Sequence, residues 1–305
     1  MKRILLTLAT GLLAASTLRA QVYINELLAN PPGSDSTVSL GLEFFELRGT
    51  PNLSLAGYYL ISIEGQGTTG RGDINQFFDL GAFSLGANGF LFARQFGSPY
   101  TSVDGSATLL ANTPNQGWGQ VNGTGSSVGH SSDGTQVDME NAAATVWLVN
   151  RGVGAAPTLS LDLDSDNNGV AELPAGWTVV DSIALSDGTG TPAATDFSYG
   201  AITFRFGALG SDNAGNVITI PGTGGNLYVG RKGDSTGSTS ADWMGALLTG
   251  SAGSFSFSAT DTSDLTFGGL PITVMQFGAT NAPEPSSGLL LGAGFLLFGL
   301  VRRRR

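Results

Sequence analysis

The chain has 305 residues, 46 of them glycine, and its 24 acidic residues outnumber the 14 basic ones. This acidity excludes nucleic-acid binding through phosphate contacts, which need a basic surface, and it favours attraction of divalent cations. Cysteine is absent, which excludes disulfides and leaves stability to a hydrophobic core or to bound ions.

The first 20 residues have the composition of a signal peptide. Lys2 and Arg3 form a basic start, residues 4–15 are mostly apolar, and the small residue Ala20 precedes Gln21. This order is typical of a secretory signal helix that is cleaved before Gln21, and a non-cleaved membrane anchor is the alternative. The sequence therefore predicts that residues 1–20 direct the rest of the chain out of the cytoplasm.

Short apolar runs separated by turn-forming residues fill most of the chain. Glycine, serine and threonine are abundant and charges are few, a composition that favours strands over helices. The pattern predicts an all-β sandwich with strands at residues 22–28, 43–48, 58–63, 75–80, 90–94, 144–149, 178–185, 201–206, 217–220 and 227–229.

Three segments in the N-terminal third resemble a known family. Residues 23–28 (YINELL), 43–47 (EFFEL) and 53–60 (LSLAGYYL) are similar, in the same order, to the opening strands of the lamin tail domain, an immunoglobulin-like β-sandwich. Arg231 and residues 241–245 resemble the C-terminal part of bacterial relatives. The resemblance implies one enlarged domain over residues 21–280, with insertions around 100–175 and a role in binding or scaffolding.

No group of residues has the spacing expected of a catalytic site. Glu43 and Glu46 are three apart, and odd spacing on a strand directs side chains to opposite faces. The single histidine, His130, lies in a stretch rich in glycine and serine that predicts a loop. Residues that adjoin in sequence rarely converge as nucleophile and base. The sequence therefore predicts no catalytic residue.

The stretch at residues 162–172 has the residue types of a calcium-binding loop. Counted from Asp164, oxygen-bearing side chains stand at positions one, three and five, glycine at six and glutamate at nine. Position twelve is Ala175 instead of the bidentate glutamate, so an EF-hand is not expected and Asp162 or Asp181 would have to add ligands. Two alternatives remain, a solvated acidic turn or a Ca²⁺ site with the ligands Asp164, Asp166, Asn168, Val170 and Glu172.

The tryptophans suggest a different kind of site. Most of them are expected in the core of a sandwich without disulfides, as for Trp147 in its apolar run. Trp118 lies between two glycines, and this setting makes it a candidate ring for stacking on a glycan.

The last 25 residues combine three features of a sorting signal. Pro283-Glu284-Pro285 is followed by an uncharged apolar segment and then by the basic cluster Arg302, Arg303, Arg304 and Arg305. A helix over residues 286–301 reaches roughly 24 Å, a little short of a hydrocarbon core of about 30 Å, and snorkelling arginines can make up the difference. Four arginines also favour the cytoplasmic side. The alternative is a buried helix of a soluble domain, which glycines at positions 292, 294 and 299 disfavour.

This tail resembles the PEP-CTERM sorting signal of Gram-negative bacteria. The resemblance implies that residues 281–305 span the inner membrane until an exosortase-type enzyme processes the chain near the motif. The body ahead of the tail carries 7 basic and 23 acidic residues, a formal charge of −16. We expect a non-catalytic protein of the cell surface or extracellular matrix, an adhesive or scaffold with exopolysaccharide as a partner. The alternative is a secreted metal-dependent hydrolase of phosphodiesters or glycans, with its metal near Asp164.

Overall fold

The computed structural model describes residues 21–32, 42–67, 69–95, 97–111, 118, 129–131, 139, 143–186, 196–206, 216–220, 227–251, 254–260 and 277–280. The predicted signal helix at residues 1–20 and the predicted transmembrane helix within residues 281–305 lie outside these ranges. Within them, no helix has the length and hydrophobicity needed to cross a bilayer.

Fourteen strands form among the described residues. They are β1 (Val22–Leu28), β2 (Phe44–Gly49), β3 (Tyr58–Glu64), β4 (Ile74–Asp79), β5 (Phe90–Arg94), β6 (Thr108–Ala111), β7 (Gly129–Ser131), β8 (Ala144–Asn150), β9 (Thr178–Leu185), β10 (Thr203–Phe206), β11 (Val217–Ile220), β12 (Leu227–Arg231), β13 (Trp243–Ser251) and β14 (Ser254–Thr260).

The strands form two sheets of seven. Sheet 1 has the order β14-β13-β12-β1-β2-β5-β6, and sheet 2 has the order β11-β10-β9-β8-β3-β4-β7. Neighbouring strands are antiparallel except for β5 with β6 and for β10 with both β9 and β11, which are parallel. The prediction of an all-β sandwich is confirmed in the described part of the chain.

The two sheets enclose one hydrophobic core. Side chains alternate along each strand, so on β2 the residues Phe45 and Leu47 point towards sheet 2 while Phe44 points away from it. Leu60 of β3 and Leu148 of β8 enter the same core from sheet 2. Each such side chain stabilises the fold by roughly 1.5–3 kcal/mol when it leaves water.

The outer face of sheet 1 carries a second apolar cluster. Strand residues Phe44, Phe92 and Tyr228 lie under Tyr100 and Phe277, which come from outside the strands. All five side chains are almost completely buried. A segment around Tyr100 and the described residues 277–280 therefore cover this face.

The outer face of sheet 2 carries a third cluster. Ile61 of β3 and Trp147 of β8 lie under Leu163 and Trp177, which belong to the connection between β8 and β9. The burial predicted for Trp147 is confirmed. One connection between adjacent strands therefore covers this face.

A buried ion pair joins the two sheets. Arg231 of β12 contacts the carboxylate of Asp181 of β9 at 2.6 Å, and the side chains are 0% and 5% exposed. The same guanidinium donates to the backbone carbonyls of Ile24 and Gly237 and lies 4.2 Å from the ring of Trp243. Arg231 was singled out by resemblance alone, and here it links parts of both sheets.

The strand predictions miss four of the fourteen strands. β6, β13 and β14 were not predicted, and β7 forms at residues 129–131, where the sequence predicted a loop around His130. This last expectation was wrong because the short segment adds to the edge of sheet 2 by pairing with β4. β8 falls in the predicted insertion range 100–175 and lies at the centre of sheet 2.

Candidate functional site

The predicted calcium ligands lie in a turn on the outer face of sheet 2, between β8 and β9. The turn is attached to the chain before β4, where Asp73 and Asp162 form an antiparallel bridge. Leu163 N–H donates to the carbonyl of Gly72 at 2.9 Å. The acidic residues are therefore held against the sandwich by backbone hydrogen bonds.

Asp164 is the centre of the turn and is fully buried. Its Oδ1 accepts from the backbone N–H of Asn168 at 2.9 Å, and its Oδ2 accepts from the N–H of Gly169 at 2.9 Å. The Tyr199 hydroxyl donates to the same Oδ2 at 2.8 Å. Burial raises the pKa of Tyr199, and its hydrogen bond to Asp164 raises that pKa further. The hydroxyl therefore stays protonated and remains a donor.

The other predicted ligands bond mainly within the turn. Asp166 Oδ2 accepts from the Asn168 amide at 2.8 Å, and Glu172 Oε2 accepts from the Ser165 hydroxyl at 2.9 Å. Val170 N–H donates to Asn168 Oδ1 at 2.7 Å, and the Val170 side chain is 65% exposed. The structure brings all five predicted ligands into one turn, where they form hydrogen bonds with other residues of the same turn.

A metal ion would have to compete with these hydrogen bonds. Across the described residues, no group of three or more His, Asp or Glu side chains has the geometry to hold a metal. Calcium prefers six to eight oxygen ligands, so the turn would need to rearrange or to add water. Calcium binding stays a prediction that titration can test.

The two residues expected to lend ligands differ in position. Asp162 adjoins the turn, where its Oδ1 accepts from Asp164 N–H at 2.9 Å. Burial raises the pKa of the neighbouring Asp73, and the charge of Asp162 adds to that effect. Asp181 instead pairs with Arg231 between the sheets, so the proposal that it contributes to the turn was wrong.

The Arg71-Gly72-Asp73 tripeptide forms the turn that leads into β4. Arg71 is 8% exposed, and its guanidinium lies 3.7 Å from the centre of the Phe197 ring. It also donates to the carbonyl of Asn167 at 3.2 Å. The tripeptide thus supports the acidic turn and does not present its arginine to solvent.

An open cleft of about 460 Å³ adjoins the acidic turn. Its walls include Trp147, Val170, Leu173 and Tyr199, and none of its lining residues is Asp, Glu or His. A metal-dependent hydrolase would need Asp164 and Asp166 to converge in a pocket with a third acid or His130. Among the described residues, this cleft does not bring those groups together.

Trp118 is fully buried in the core between the sheets. Its ring lies 5.7 Å from Phe45 and 5.2 Å from Phe78, measured between centroids. A sugar cannot stack on a ring in this position. The prediction of a glycan site at Trp118 was therefore wrong, and the ring contributes to core packing.

Two glutamates form a buried carboxyl pair that sequence reasoning missed. Glu26 and Glu46 face each other across β1 and β2, and neither is exposed. Burial raises the pKa of Glu46 well above its usual 4.5, and the charge of Glu26 raises it further. Glu43 lies on the opposite side and accepts from Met139 N–H in the main core, so the predicted separation of Glu43 from Glu46 is confirmed.

The described body thus defines an all-β sandwich with an acidic turn on one outer face and a carboxyl pair on the other. Residues 281–305 match the family of the PEP-CTERM protein-sorting motif. No curated protein and no solved structure matches the chain. The match includes Pro283-Glu284-Pro285 and the four terminal arginines, which lie outside the described residues. It implies an exported protein with a membrane-anchoring tail that an exosortase-type enzyme processes.

Proposed function

We propose that this chain is a non-catalytic protein of the Gram-negative cell envelope, displayed as an adhesive or scaffold in an exopolysaccharide matrix. The observation that carries the proposal is the sorting motif at residues 281–305, which follows directly on a folded all-β body. The body has a formal charge of −16. Such a charge favours solubility outside the cell and disfavours contact with other polyanions such as nucleic acid.

The arrangement of carboxyl groups supports a non-catalytic role. Asp164 accepts hydrogen bonds from its own turn and from Tyr199, and Glu43 and Glu46 lie on opposite sides of sheet 1. General acid–base chemistry needs groups within reach of one reacting atom. The neighbouring cleft offers walls of apolar and hydroxyl side chains, which suit binding.

We further propose that the body is an enlarged lamin tail-like domain of the immunoglobulin type. The segments that carry the resemblance coincide with strands, since residues 23–28 lie in β1, 43–47 include the start of β2, and 53–60 lead into β3. A crystal structure of the body tests this proposal. A strand connectivity different from that of lamin tail domains would contradict it.

The sorting step is tested by fractionating the native host and measuring the intact mass of the exported chain. We expect the wild type at the cell surface without its terminal arginines. The variant Glu284→Ala should remain in the inner membrane with Arg305 intact, because the motif is damaged while the hydrophobic segment still halts translocation. Asp166→Ala, which alters an exposed acid of the body, is the matched control and should be processed normally.

A display role predicts that the exported protein stays with the exopolysaccharide. Enzymatic removal of the polysaccharide should release the processed protein into the medium, while an unrelated secreted protein is soluble before and after treatment. Recovery of the full-length chain as a freely dissolved cytoplasmic protein would contradict the proposal.

A further inference from the structure

The residues directly before the sorting signal are docked on the body. The Phe277 side chain is 1% exposed and inserts into the outer cluster of sheet 1. Its ring stacks on Phe92 with centroids 4.5 Å apart, and the rings of Phe44 and Tyr100 lie 5.0 and 5.4 Å away. A single aromatic residue therefore anchors the end of the body in a pocket of three other rings.

Backbone hydrogen bonds hold the same residue on both sides. Phe277 N–H donates to the carbonyl of Ser102 at 3.0 Å, and its carbonyl accepts from Asp104 N–H at 2.8 Å. This pairing forms a parallel bridge between Phe277 and Val103. Phe277 is thus hydrogen-bonded to residues 102–104, which belong to the segment that covers sheet 1.

Gly278 has contacts that only a glycine permits. Its φ is +81°, and an added Cβ would lie 2.8 Å from the Cβ of Ala107. Its carbonyl accepts from the Asn88 side-chain amide at 2.9 Å, and its N–H donates to the buried carboxyl of Glu46. The chain therefore leaves the body through a close contact with a defined backbone conformation.

We infer that residues 277–280, the C-terminal clasp, position the sorting signal for its processing enzyme. Only Asn281 and Ala282 separate Thr280 from Pro283. An extended chain spans about 3.5 Å per residue, so Pro283 lies within roughly 18 Å of Gly278 and the start of the apolar segment within roughly 28 Å. In the proposed membrane-bound precursor, residues 281–285 join the clasp to the membrane segment, and we call this short linker the strap.

A strap held at both ends has fewer conformations than a free tail. Binding to the processing enzyme therefore costs the strap less conformational entropy, because the body has already restricted one of its ends. Since the motif follows the clasp, the processed protein keeps Phe277 and its contacts. This inference rests on the proposed function, because it assumes processing at Pro283-Glu284-Pro285.

The first test lengthens the strap without touching the clasp. A ten-residue glycine-serine linker inserted between Thr280 and Asn281 extends the strap from five to 15 residues, which lowers the fraction of productive conformations about fivefold. We expect pulse-chase analysis in the native host to show processing about fivefold slower. The same linker inserted after Val153, which is 99% exposed and far from the clasp in sequence, should leave the rate unchanged.

The second test removes the Phe277 ring from the pocket formed by Phe44, Phe92 and Tyr100. Phe277→Ala should release the clasp, slow processing at least threefold and give several C-terminal ends by intact mass, in place of one. Phe255→Ala removes a ring of the same cluster that does not belong to the clasp, and its product should have the wild-type end. Amide hydrogen exchange at Gly278 should be slow in the wild type and fast in Phe277→Ala.

The outcomes separate this inference from the function on which it rests. A wild-type chain that reaches the surface with Arg305 intact contradicts the proposed function and, with it, the role of the clasp. A wild type that is processed normally, with the linker variant processed at the same rate to the same end, overturns the clasp inference alone.

Discussion

Both sheets bury their outer faces, but one connection between adjacent strands covers sheet 2, whereas distant parts of the chain assemble to cover sheet 1. The cover of sheet 2 runs from β8 to β9 and closes on itself around Asp164. The cover of sheet 1 combines the residues near Tyr100 with Phe277, about 180 positions further along the chain. The cover of sheet 2 can therefore form from one continuous segment, whereas the cover of sheet 1 can form only after Phe277 has been synthesised.

The two covers also differ in what lies beneath them. Under the sheet 2 cover, the Asp164 carboxylate has three hydrogen-bond donors. Under the sheet 1 cover, two carboxyls face each other, and one of them accepts from the clasp. The cover of sheet 2 thus places donors on its buried carboxylate, whereas the cover of sheet 1 lies over two buried carboxyls that face each other. Because two carboxyls that share a buried site repel each other when both are charged, the stability of the sheet 1 cover should depend on pH more than that of the sheet 2 cover.

The largest effect is expected from removing the buried ion pair that joins the two sheets. Asp181→Ala leaves Arg231 buried without its carboxylate, which costs about 3–5 kcal/mol in systems of this kind. Urea unfolding should show this loss, and proteolysis should become faster in both covers. Asp234→Ala is the control, because Asp234 pairs with Arg48 but is 92% exposed, and little change is expected. Equal effects of the two variants would show that the ion pair does not hold the sheets together.

Substitution of Gly72, with Gly67 as the control position, should destabilise the cover of sheet 2 alone. Gly72 has φ +91°, and an added Cβ would lie 2.8 Å from the Cβ of Asp164. Gly67 has φ +76° and open space around it, so Gly67→Ala carries only the left-handed backbone cost of about 1–2 kcal/mol. Gly72→Ala should lose about 1–3 kcal/mol more through overpacking against the acidic turn. Thermal unfolding measures both, and similar losses would mean that the turn adapts.

The cover of sheet 1 is expected to respond to pH. Because the folded pKa of Glu46 lies above its usual 4.5, the proton stabilises the folded state, fully so below pH 4.5. This contribution is lost as the pH rises from 4.5 through the raised folded pKa. Glu46→Gln mimics the protonated form, so its stability should vary less with pH over that window. Unfolding curves at a series of pH values check this, and parallel profiles for wild type and variant would refute it.

Calcium is expected to produce the smallest effect, and only on the sheet 2 cover. A millimolar ion acting on a site of millimolar affinity adds about 0.4 kcal/mol. If the acidic turn binds calcium, the melting temperature of the wild type should rise and that of Asp166→Ala should not. Absence of binding heat in isothermal titration, with no change in melting temperature, would end the calcium hypothesis.

Local patterns were sufficient to locate most strands and the sorting tail. β1, β9 and β11 have the predicted bounds, because alternating apolar residues and turn-forming neighbours act over a few positions. The Asn88-Gly89 pair is a sequence signal of a β-hairpin, yet it lies in the connection from β4 of sheet 2 to β5 of sheet 1. A turn signal does not specify which sheet the next strand enters.

The sites were harder to predict because they depend on the face that each side chain occupies. A bulge at Asn25 shifts the register of β1, so that Glu26 faces Glu46 on the outer side. Without that extra residue, Glu26 would point to the other face. The glycines beside Trp118 suggested exposure, but the ring packs against Phe45 and Phe78 in the core.

The sequence by itself determined that this chain is a β-rich, acidic body with an export tail, because strand periodicity, charge and the order of the tail are local properties. Only the tertiary structure decided that Asp164 accepts from Tyr199, that Arg231 joins the two sheets and that Phe277 docks beside Phe92. These contacts join residues far apart in sequence, and their partners are chosen by register and packing, which no short window of sequence contains.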